Sequence, residues 1–516
     1  MSKYTGEKLE FVFKELENKK DMTIVDACKK MCLKFDMEYC ENVRKGVSAL
    51  IHKSNLEPEI SDLFKEAQSK KLDKKKGTFI ITYAQNDTPV HKKFFENILA
   101  LKEDVNAGLH VIAGRYKNPT SIYTTREEAG EWWVKEVRPY LDANRHNLHK
   151  YLHVLADVKI TPTASNPLGG FNSITGLESC IIGHPRQHLK SLPVLSGYPN
   201  KLLLSTGACT VSNYTDSGAG KKGDFHHMLG FIIVEIDGDS FHVRQVNADE
   251  DGNFYDLFKR VKDGKVTNNK EGCSAAILGD IHISQVDKQA EEAAFKLLDI
   301  LKPKYTIIHD IFNGESISHH TSRYPFQLME LEETGRGNVE WELEQMYEWV
   351  KKRLKYNLVI PAANHNDWMD QWLSNNDWRK ERNKKAYLKY AFIASEKLAP
   401  KGMIAYLLDK MFGKKITTLD YDGSFRYLDW ELGLHGDKGS NGSRGGVNQF
   451  KNLNTKSVTG HSHTPSRNDG HLCVGTLTLM KMGYNKGLST WMQSNVLIYP
   501  DGKAQHVHFV NGKYYR

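Results

Sequence analysis

Five short segments that carry histidine and aspartate follow one another through the second half of the chain. They are Gly279-Asp280-Ile281-His282, His309-Asp310, Ala363-Asn364-His365-Asn366-Asp367, Gly433-Leu434-His435-Gly436-Asp437 and Gly460-His461-Ser462-His463. Carboxylate oxygens and imidazole nitrogens together suit borderline divalent ions such as Mn²⁺, Fe²⁺ and Zn²⁺. One such segment alone is commonly a surface feature, but five in order predict a metal site.

The chemistry of such a site follows from its ligand types. One aspartate can bridge two ions, and an asparagine supplies a neutral oxygen. Two ions about 3.5–4 Å apart hold a phosphate between them and lower the pKa of a bridging water. The sequence therefore predicts a dinuclear centre that makes a hydroxide nucleophile at neutral pH. The ligand types alone do not choose between Mn²⁺, Mg²⁺, Fe and Zn²⁺.

The elements that must position these residues are short apolar strands that alternate with helices. Strands are predicted at Ala275–Leu278, Tyr305–Ile308 and Leu358–Ile360, and helices at Lys288–Leu301 and Val339–Leu354. This alternation predicts a layered α/β fold. In such folds ligands bind at the carboxyl ends of the strands, which is where the first three segments lie.

The order of these residues over about 240 positions resembles the calcineurin-like metallophosphoesterases. The resemblance implies a C-terminal β-sandwich flanked by helices, spanning residues 273–516, with two metal ions. The implied ligands are Asp280, His282 and His463 for the first ion, Asp310 as the bridge, and Asn364, His435 and His461 for the second. His365 would be the acid that protonates the leaving oxygen or stabilises the transition state.

The chain departs from the family pattern near the acid. His309 and Ala363 stand where the family usually has glycine, and Asn366 stands where it has an acidic residue. Asp367 comes one place later, so we expect it to replace the usual partner of His365 and count it with the catalytic residues. His320 fits no family position, and we interpret it as a substrate-side group, with a plain surface role as the alternative.

Two regions precede the catalytic one. Residues 1–66 read as a small helical bundle, for which a helix-turn-helix that contacts DNA and a purely structural role both stay open. Residues 67–77 form a lysine-rich linker, and residues 78–272 a mixed α/β middle domain. Within this middle domain, Thr210–Gly223 is expected to be a loop. Its Gly218-Ala219-Gly220-Lys221-Lys222 run fails as a phosphate-binding P-loop.

Three features favour a nucleic-acid substrate. One is the basic face Trp378-Arg379-Lys380-Glu381-Arg382-Asn383-Lys384-Lys385, which could follow a nucleic-acid backbone or be a plain solvated helix face. A glycine-rich stretch beside His435 carries Lys438 and Arg444, and such loops let backbone amides approach phosphate oxygens. Two extra domains precede the catalytic region, which a small-molecule phosphatase does not need. The organisation also resembles nucleases that T-five-group tailed phages express early to degrade host DNA. That resemblance implies a Mn²⁺-dependent deoxyribonuclease acting on DNA, as a homo-oligomer.

The same residues are compatible with two other kinds of protein. One is a nucleotide phosphodiesterase or phosphoprotein phosphatase of the same superfamily. Another is a DNA-binding takeover protein with a vestigial metal site. Composition adds bounds: the formal charge of +8 permits a polyanionic partner, and no segment has the length of a membrane span. Seven scattered cysteines indicate a reducing compartment, so we expect a cytoplasmic protein in the host bacterium.

Overall fold

The computed structural model describes residues 7–18, 23–39, 42–47, 77–116, 133–453, 455–482 and 485–516. The predicted linker therefore lies outside the described residues apart from Gly77. The last part of the predicted N-terminal bundle lies outside them as well.

The described part of the N-terminal region is mostly helical. Helix α1 spans Glu7–Asn18, α2 spans Ile24–Lys34, and residues 42–47 are also helical. The Thr23 side chain accepts a hydrogen bond from the Asp26 amide and so begins α2, as an N-cap should. The helices enclose a small apolar cluster that includes Val12, Met31 and Val47.

The middle region contains both strands and helices. Its elements are β1 (Thr78–Gln85), α3 (Lys92–Asp104), β2 (Gly108–Gly114), β3 (Leu141–Asp142), β4 (Arg145–His149), β5 (Leu152–Leu155), β6 (Ser179–Ile182), β7 (Leu189–Leu192), β8 (Lys201–Ser205), α4 (Gly218–His226), β9 (Gly230–Asp237), β10 (Ser240–Asn247), β11 (Phe254–Asp256), β12 (Lys259–Lys262) and β13 (Lys265–Asn268). The expectation of a loop at Thr210–Gly223 is wrong in its second half, because α4 begins there. Ser217 caps this helix by accepting from the Gly220 amide.

The C-terminal region alternates strands and helices before it closes with strands. Its elements are β14 (Ala275–Ile277), α5 (Lys288–Leu301), β15 (Tyr305–Ile307), α6 (Pro325–Glu333), α7 (Val339–Lys351), β16 (Leu358–Ile360), α8 (Asn364–Asn375), α9 (Lys384–Ser395), α10 (Met403–Phe412), β17 (Thr417–Thr418), β18 (Arg426–Tyr427), β19 (Trp430–Glu431), α11 (Val447–Phe450), β20 (Lys456–Thr459), β21 (Ser466–Asn468), β22 (His471–Cys473), β23 (Ser494–Ile498) and β24 (Ala504–His508).

Two sheets form a sandwich in this region. The inner sheet has the order β17-β16-β15-β14-β23-β24, and strands β14 to β17 are parallel. Its Ile277 and Val359 pack against Trp430 and Val458 of the second sheet. Its other face is covered by helices, including α5 and α7. The chain therefore has the predicted α/β class, with a β-sandwich flanked by helices.

The second sheet crosses from one region to the other. It has ten strands in the order β18-β19-β20-β22-β21-β7-β8-β6-β5-β4. The join is the antiparallel pair β21–β7, in which Ser466 lies opposite Lys190 and Arg467 opposite Leu189. The middle and C-terminal regions on the two sides of residue 272 thus share one continuous sheet.

This sheet is arranged about a pseudo-twofold axis at the join. Reading outward, both halves begin with an antiparallel pair, continue with two parallel pairs, and end with an antiparallel hairpin. Against its middle-region half packs a five-stranded sheet, β10-β9-β1-β2-β3. That order and its strand directions repeat β24-β23-β14-β15-β16. The middle region therefore repeats the sandwich topology of the C-terminal region.

A long-range cap joins two helices beside the inner sheet. The Asp370 carboxylate of α8 accepts a hydrogen bond from the Met403 amide at the start of α10, at 2.9 and 3.1 Å to its two oxygens. Burial raises the pKa of Asp370 from 3.8 to about 6, and the charge of Asp367 adds to the rise. The folded state therefore keeps a proton that the unfolded chain releases at lower pH.

The Asp370→Asn variant should remove this pH dependence, since asparagine caps a helix about as well as aspartate. As the pH rises from about 4 to about 6, the wild type must ionise a buried carboxyl and loses stability relative to the variant. We expect the melting temperature of the wild type minus that of Asp370→Asn to fall across this window and to be constant above it. A difference that rises with pH would contradict the assignment.

Candidate metal centre

The loops that carry the candidate ligands have an unusual backbone. His282, Asp310, His461 and His463 all adopt left-handed conformations, with φ between 43° and 69°. Such conformations are unfavourable for residues with a Cβ, and they concentrate at functional sites. They turn the backbone sharply after β14, β15 and β20, so that side chains that follow these three strands face the same point.

The first cluster consists of Asp280, His282 and His463. His463 Nε2 lies 3.0 Å from Asp280 Oδ2 and 3.1 Å from His282 Nε2. His282 Nε2 also lies 3.8 Å from Asp310 Oδ2. Potential ligand atoms of Asp280, His282 and His463 all lie within 4.8 Å of one another.

The second cluster shares Asp310 with the first. His435 Nε2 lies 3.1 Å from Asp310 Oδ2 and 3.0 Å from Asn364 Oδ1. His461 Nδ1 lies 3.0 Å from the same Asn364 oxygen. All seven predicted ligands thus come together around two adjacent points, with Asp310 between them.

The donor set fits divalent ions. Asp280 and Asp310 are fully buried, and Asp280 Oδ1 has no hydrogen-bond partner, so a buried carboxylate oxygen is left to be satisfied. Burial opposes ionisation of Asp280, yet its contact with His463 holds its pKa at about 2. Burial also opposes ionisation of Asp310, but the nearby His435 and His365 lower its pKa well below 3.8. Both carboxyls are therefore anionic and lie next to imidazole nitrogens and an amide oxygen, which is the mixed O/N set of borderline divalent metals.

His365 lies against both clusters. Its ring centroid is 4.3 Å from that of His282, and its backbone amide donates to Asp310 Oδ1 at 3.2 Å. Its Nδ1 lies 2.8 Å from the carbonyl oxygen of Asn313. Since a carbonyl can only accept, Nδ1 carries the proton, and Nε2 is the nitrogen that can gain or lose one.

The hydrogen-bond partner of His365 differs from the expected one. The Asp367 carboxylate accepts from Gln371 Nε2 at 2.7 Å, and Asn313 supplies the oxygen that orients the ring. Glu342 holds the loop after Asn313 by accepting from the amides of Glu315 and Ser316 at 2.9 and 3.0 Å. Burial raises the pKa of Glu342 to about 7. Sequence reasoning missed Asn313, because a backbone carbonyl leaves no side-chain signature.

The predicted substrate-side residues lie around this centre. Lys438 and Arg444 pair across a short antiparallel bridge, and both side chains reach solvent. Lys438 Nζ lies 3.9 Å from Asp437 Oδ2. His320 is exposed, and its ring lies 5.8 Å from that of Trp368. The Trp368 ring in turn lies 3.7 Å from that of His365.

The corresponding edge of the middle region has different chemistry. After β6 it carries Gly183-His184-Pro185-Arg186, where the C-terminal region has Gly460-His461-Ser462-His463 after β20. Arg186 bonds the Ser165 carbonyl at 2.7 Å and lies 3.2 Å from Asp469. Within the described part of the chain, every candidate metal-binding group lies in the C-terminal region.

The fold and the site define an α/β protein with buried Asp/His clusters that can hold metal ions. No family model matches the chain. The chain is 31% identical over 461 residues to Protein A1 of Escherichia phage T5. The aligned region covers 85% of this chain and 82% of that protein. It therefore belongs to the family of Protein A1, and this supports a T5-like phage origin. No helix in the described ranges is long and apolar enough to cross a membrane.

Proposed function

We propose that the protein is a deoxyribonuclease of the calcineurin-like metallophosphoesterase type, with two divalent ions, most favourably Mn²⁺. The observation that carries this proposal is the convergence of seven side chains from separate loops on two points that share Asp310. A surface cluster would not need buried carboxylates held beside four imidazoles and an amide.

The residues divide into metal holders and a proton donor. Asp280, His282 and His463 would hold one ion, Asn364, His435 and His461 the other, with Asp310 shared. When bound, two such ions polarise a phosphate and lower the pKa of a water between them. His365 donates its Nδ1 proton to the Asn313 carbonyl, and its ring lies beside His282 and Asp310. When Nε2 also carries a proton, taken up from water, this imidazolium form would donate that proton to the leaving oxygen and return to the neutral ring.

The relation to a phage protein supports a phage function. Within that setting we propose DNA as the substrate and host DNA degradation as the role. The exposed Lys438 and Arg444 beside the centre suit a phosphate backbone. The N-terminal helices are a second candidate contact with DNA, and we expect the enzyme to act in the host cytoplasm as a homo-oligomer. A nucleotide phosphodiesterase of the same superfamily is the alternative, since its site would be built in the same way.

Metal removal tests the proposal directly. Purified protein should degrade plasmid and linear duplex DNA with Mn²⁺, lose that activity in chelator, and regain it when Mn²⁺ is restored in excess. Reactions on closed circular and linear DNA also show whether a free end is needed. Intact DNA beside rapid hydrolysis of bis(p-nitrophenyl) phosphate would contradict a nuclease and favour the nucleotide phosphodiesterase.

A further inference from the structure

We propose that Trp368, with His319 and His320, forms a stacking site for the nucleobase next to the scissile phosphate. The inference rests on the proposed nuclease and assigns part of its substrate-binding surface. Trp368 belongs to α8, one turn after His365, so the two rings lie on the same side of that helix.

The rings form a continuous aromatic wall that leads from the metal centre to solvent. The His365 and Trp368 rings are 3.7 Å apart at an interplanar angle of 31°. The His320 and His319 rings lie 5.8 and 6.1 Å from the indole and 3.9 Å from each other. Trp368 is half-buried and both histidines are exposed. Planar groups that reach water in this way are the usual platforms for unpaired bases.

A cavity of about 330 Å³ opens beside this wall. Its floor is apolar, with Ile317 and Trp372, and amide side chains complete its rim: Gln371, Asn375 and Asn376. Apolar flat walls with a few polar groups suit a small planar ligand. Amide groups can pair with the donor and acceptor atoms on the edge of a base.

Continuity with the metal centre identifies the occupant. His365 contacts the metal ligand His282 on one side and Trp368 on the other. A phosphate at the metal centre with its leaving oxygen at His365 therefore puts the attached nucleotide beside the indole. A small phosphate ester without a base would leave the cavity and the wall unused.

Removal of a single base provides the test. Oligonucleotides with one abasic nucleotide should be cut by the wild type, with Mn²⁺, roughly tenfold to a hundredfold more slowly at the bond beside that nucleotide than at remote bonds. The Trp368→Leu variant should cut normal DNA more slowly by a similar factor and should no longer distinguish the abasic position. Trp368→Phe should keep most of the discrimination, because a ring remains.

The controls separate packing from binding. Phe392 of α9 is 65% exposed, and Phe392→Leu should retain both rate and discrimination. A Mn²⁺-induced rise in melting temperature in Trp368→Leu would show an intact centre. Equal cutting at abasic and normal positions by the wild type, or full discrimination by Trp368→Leu, would overturn this inference alone. Absence of any metal-dependent DNA cleavage by the wild type would overturn the proposed function and this inference with it.

Discussion

Asp310→Asn should lower metal-dependent hydrolysis by roughly a thousandfold or more while the protein stays folded. Asp310 is the group that both clusters share: its Oδ2 lies 3.1 Å from His435 Nε2 and 3.8 Å from His282 Nε2. Asparagine keeps the shape and one oxygen but removes the charge that two cations need between them. We expect the variant to bind fewer Mn²⁺ ions, measured by calorimetry, and to leave plasmid DNA intact.

A matched control lies nearby in the same region. Asp287 caps α5 by accepting from the amides of Gln289 and Ala290, and asparagine fills that position equally well. The Asp287→Asn variant should therefore keep the metal stoichiometry and the rate of the wild type. Full activity in Asp310→Asn with Mn²⁺ would refute the assignment of the bridging ligand.

The element pattern of the C-terminal region was predictable because local signals specify it. The helix Lys288–Leu301 and the strand Leu358–Ile360 have the predicted bounds. The helix begins at its aspartate cap, and the strand is a buried apolar run. The first three candidate ligand segments come directly after parallel strands of one sheet, whose carboxyl ends meet at one edge, so their proximity could be expected from the order of the elements. The segments with His435 and His461 follow strands of the second sheet, and their approach depends on how the two sheets pack.

The ten-stranded sheet was not predictable by the same reasoning. Its central pair joins Lys190 to Ser466, nearly three hundred positions apart, and no local pattern specifies which distant edge a short strand will meet. The repeat of the sandwich in the middle region was hidden for a related reason. Both halves share the topology of their buried apolar strands, but the residues that follow those strands differ, as Arg186 in the loop after β6 shows.

The partner of His365 shows a third limit. The sequence offered Asp367 as the nearest carboxylate, but Asp367 lies two residues further along α8 and bonds Gln371 one turn later. The ring is oriented instead by the Asn313 carbonyl, in a loop that Glu342 holds from another helix. Sequence proximity therefore suggested the wrong partner for His365, because tertiary packing selects the group that positions its ring.

His365→Asn should lower the rate of DNA hydrolysis by roughly 10²- to 10⁴-fold while Mn²⁺ binding stays unchanged. The reason is the position of the ring: Nδ1 donates to the Asn313 carbonyl, so the proton that the leaving alkoxide of DNA requires would come from Nε2 of the imidazolium form. A p-nitrophenyl ester departs as a stable anion and needs no such proton. The variant should therefore lose far less activity on a p-nitrophenyl phosphodiester than on DNA, and the ratio of the two rates is the measurement.

The same experiment decides between three roles that the geometry allows for His365. His282, Asp310 and His365 also have ligand atoms within 4.8 Å of one another, so His365 can be considered as a metal ligand. If His365 is a metal ligand, its substitution should lower the Mn²⁺ content of the protein. The activity on both substrates should then fall together. If His365 is instead the acid, the variant should bind the same number of Mn²⁺ ions and should lose activity mainly on DNA. Equal losses with normal metal content would instead assign His365 to transition-state stabilisation, because that role does not depend on the leaving group.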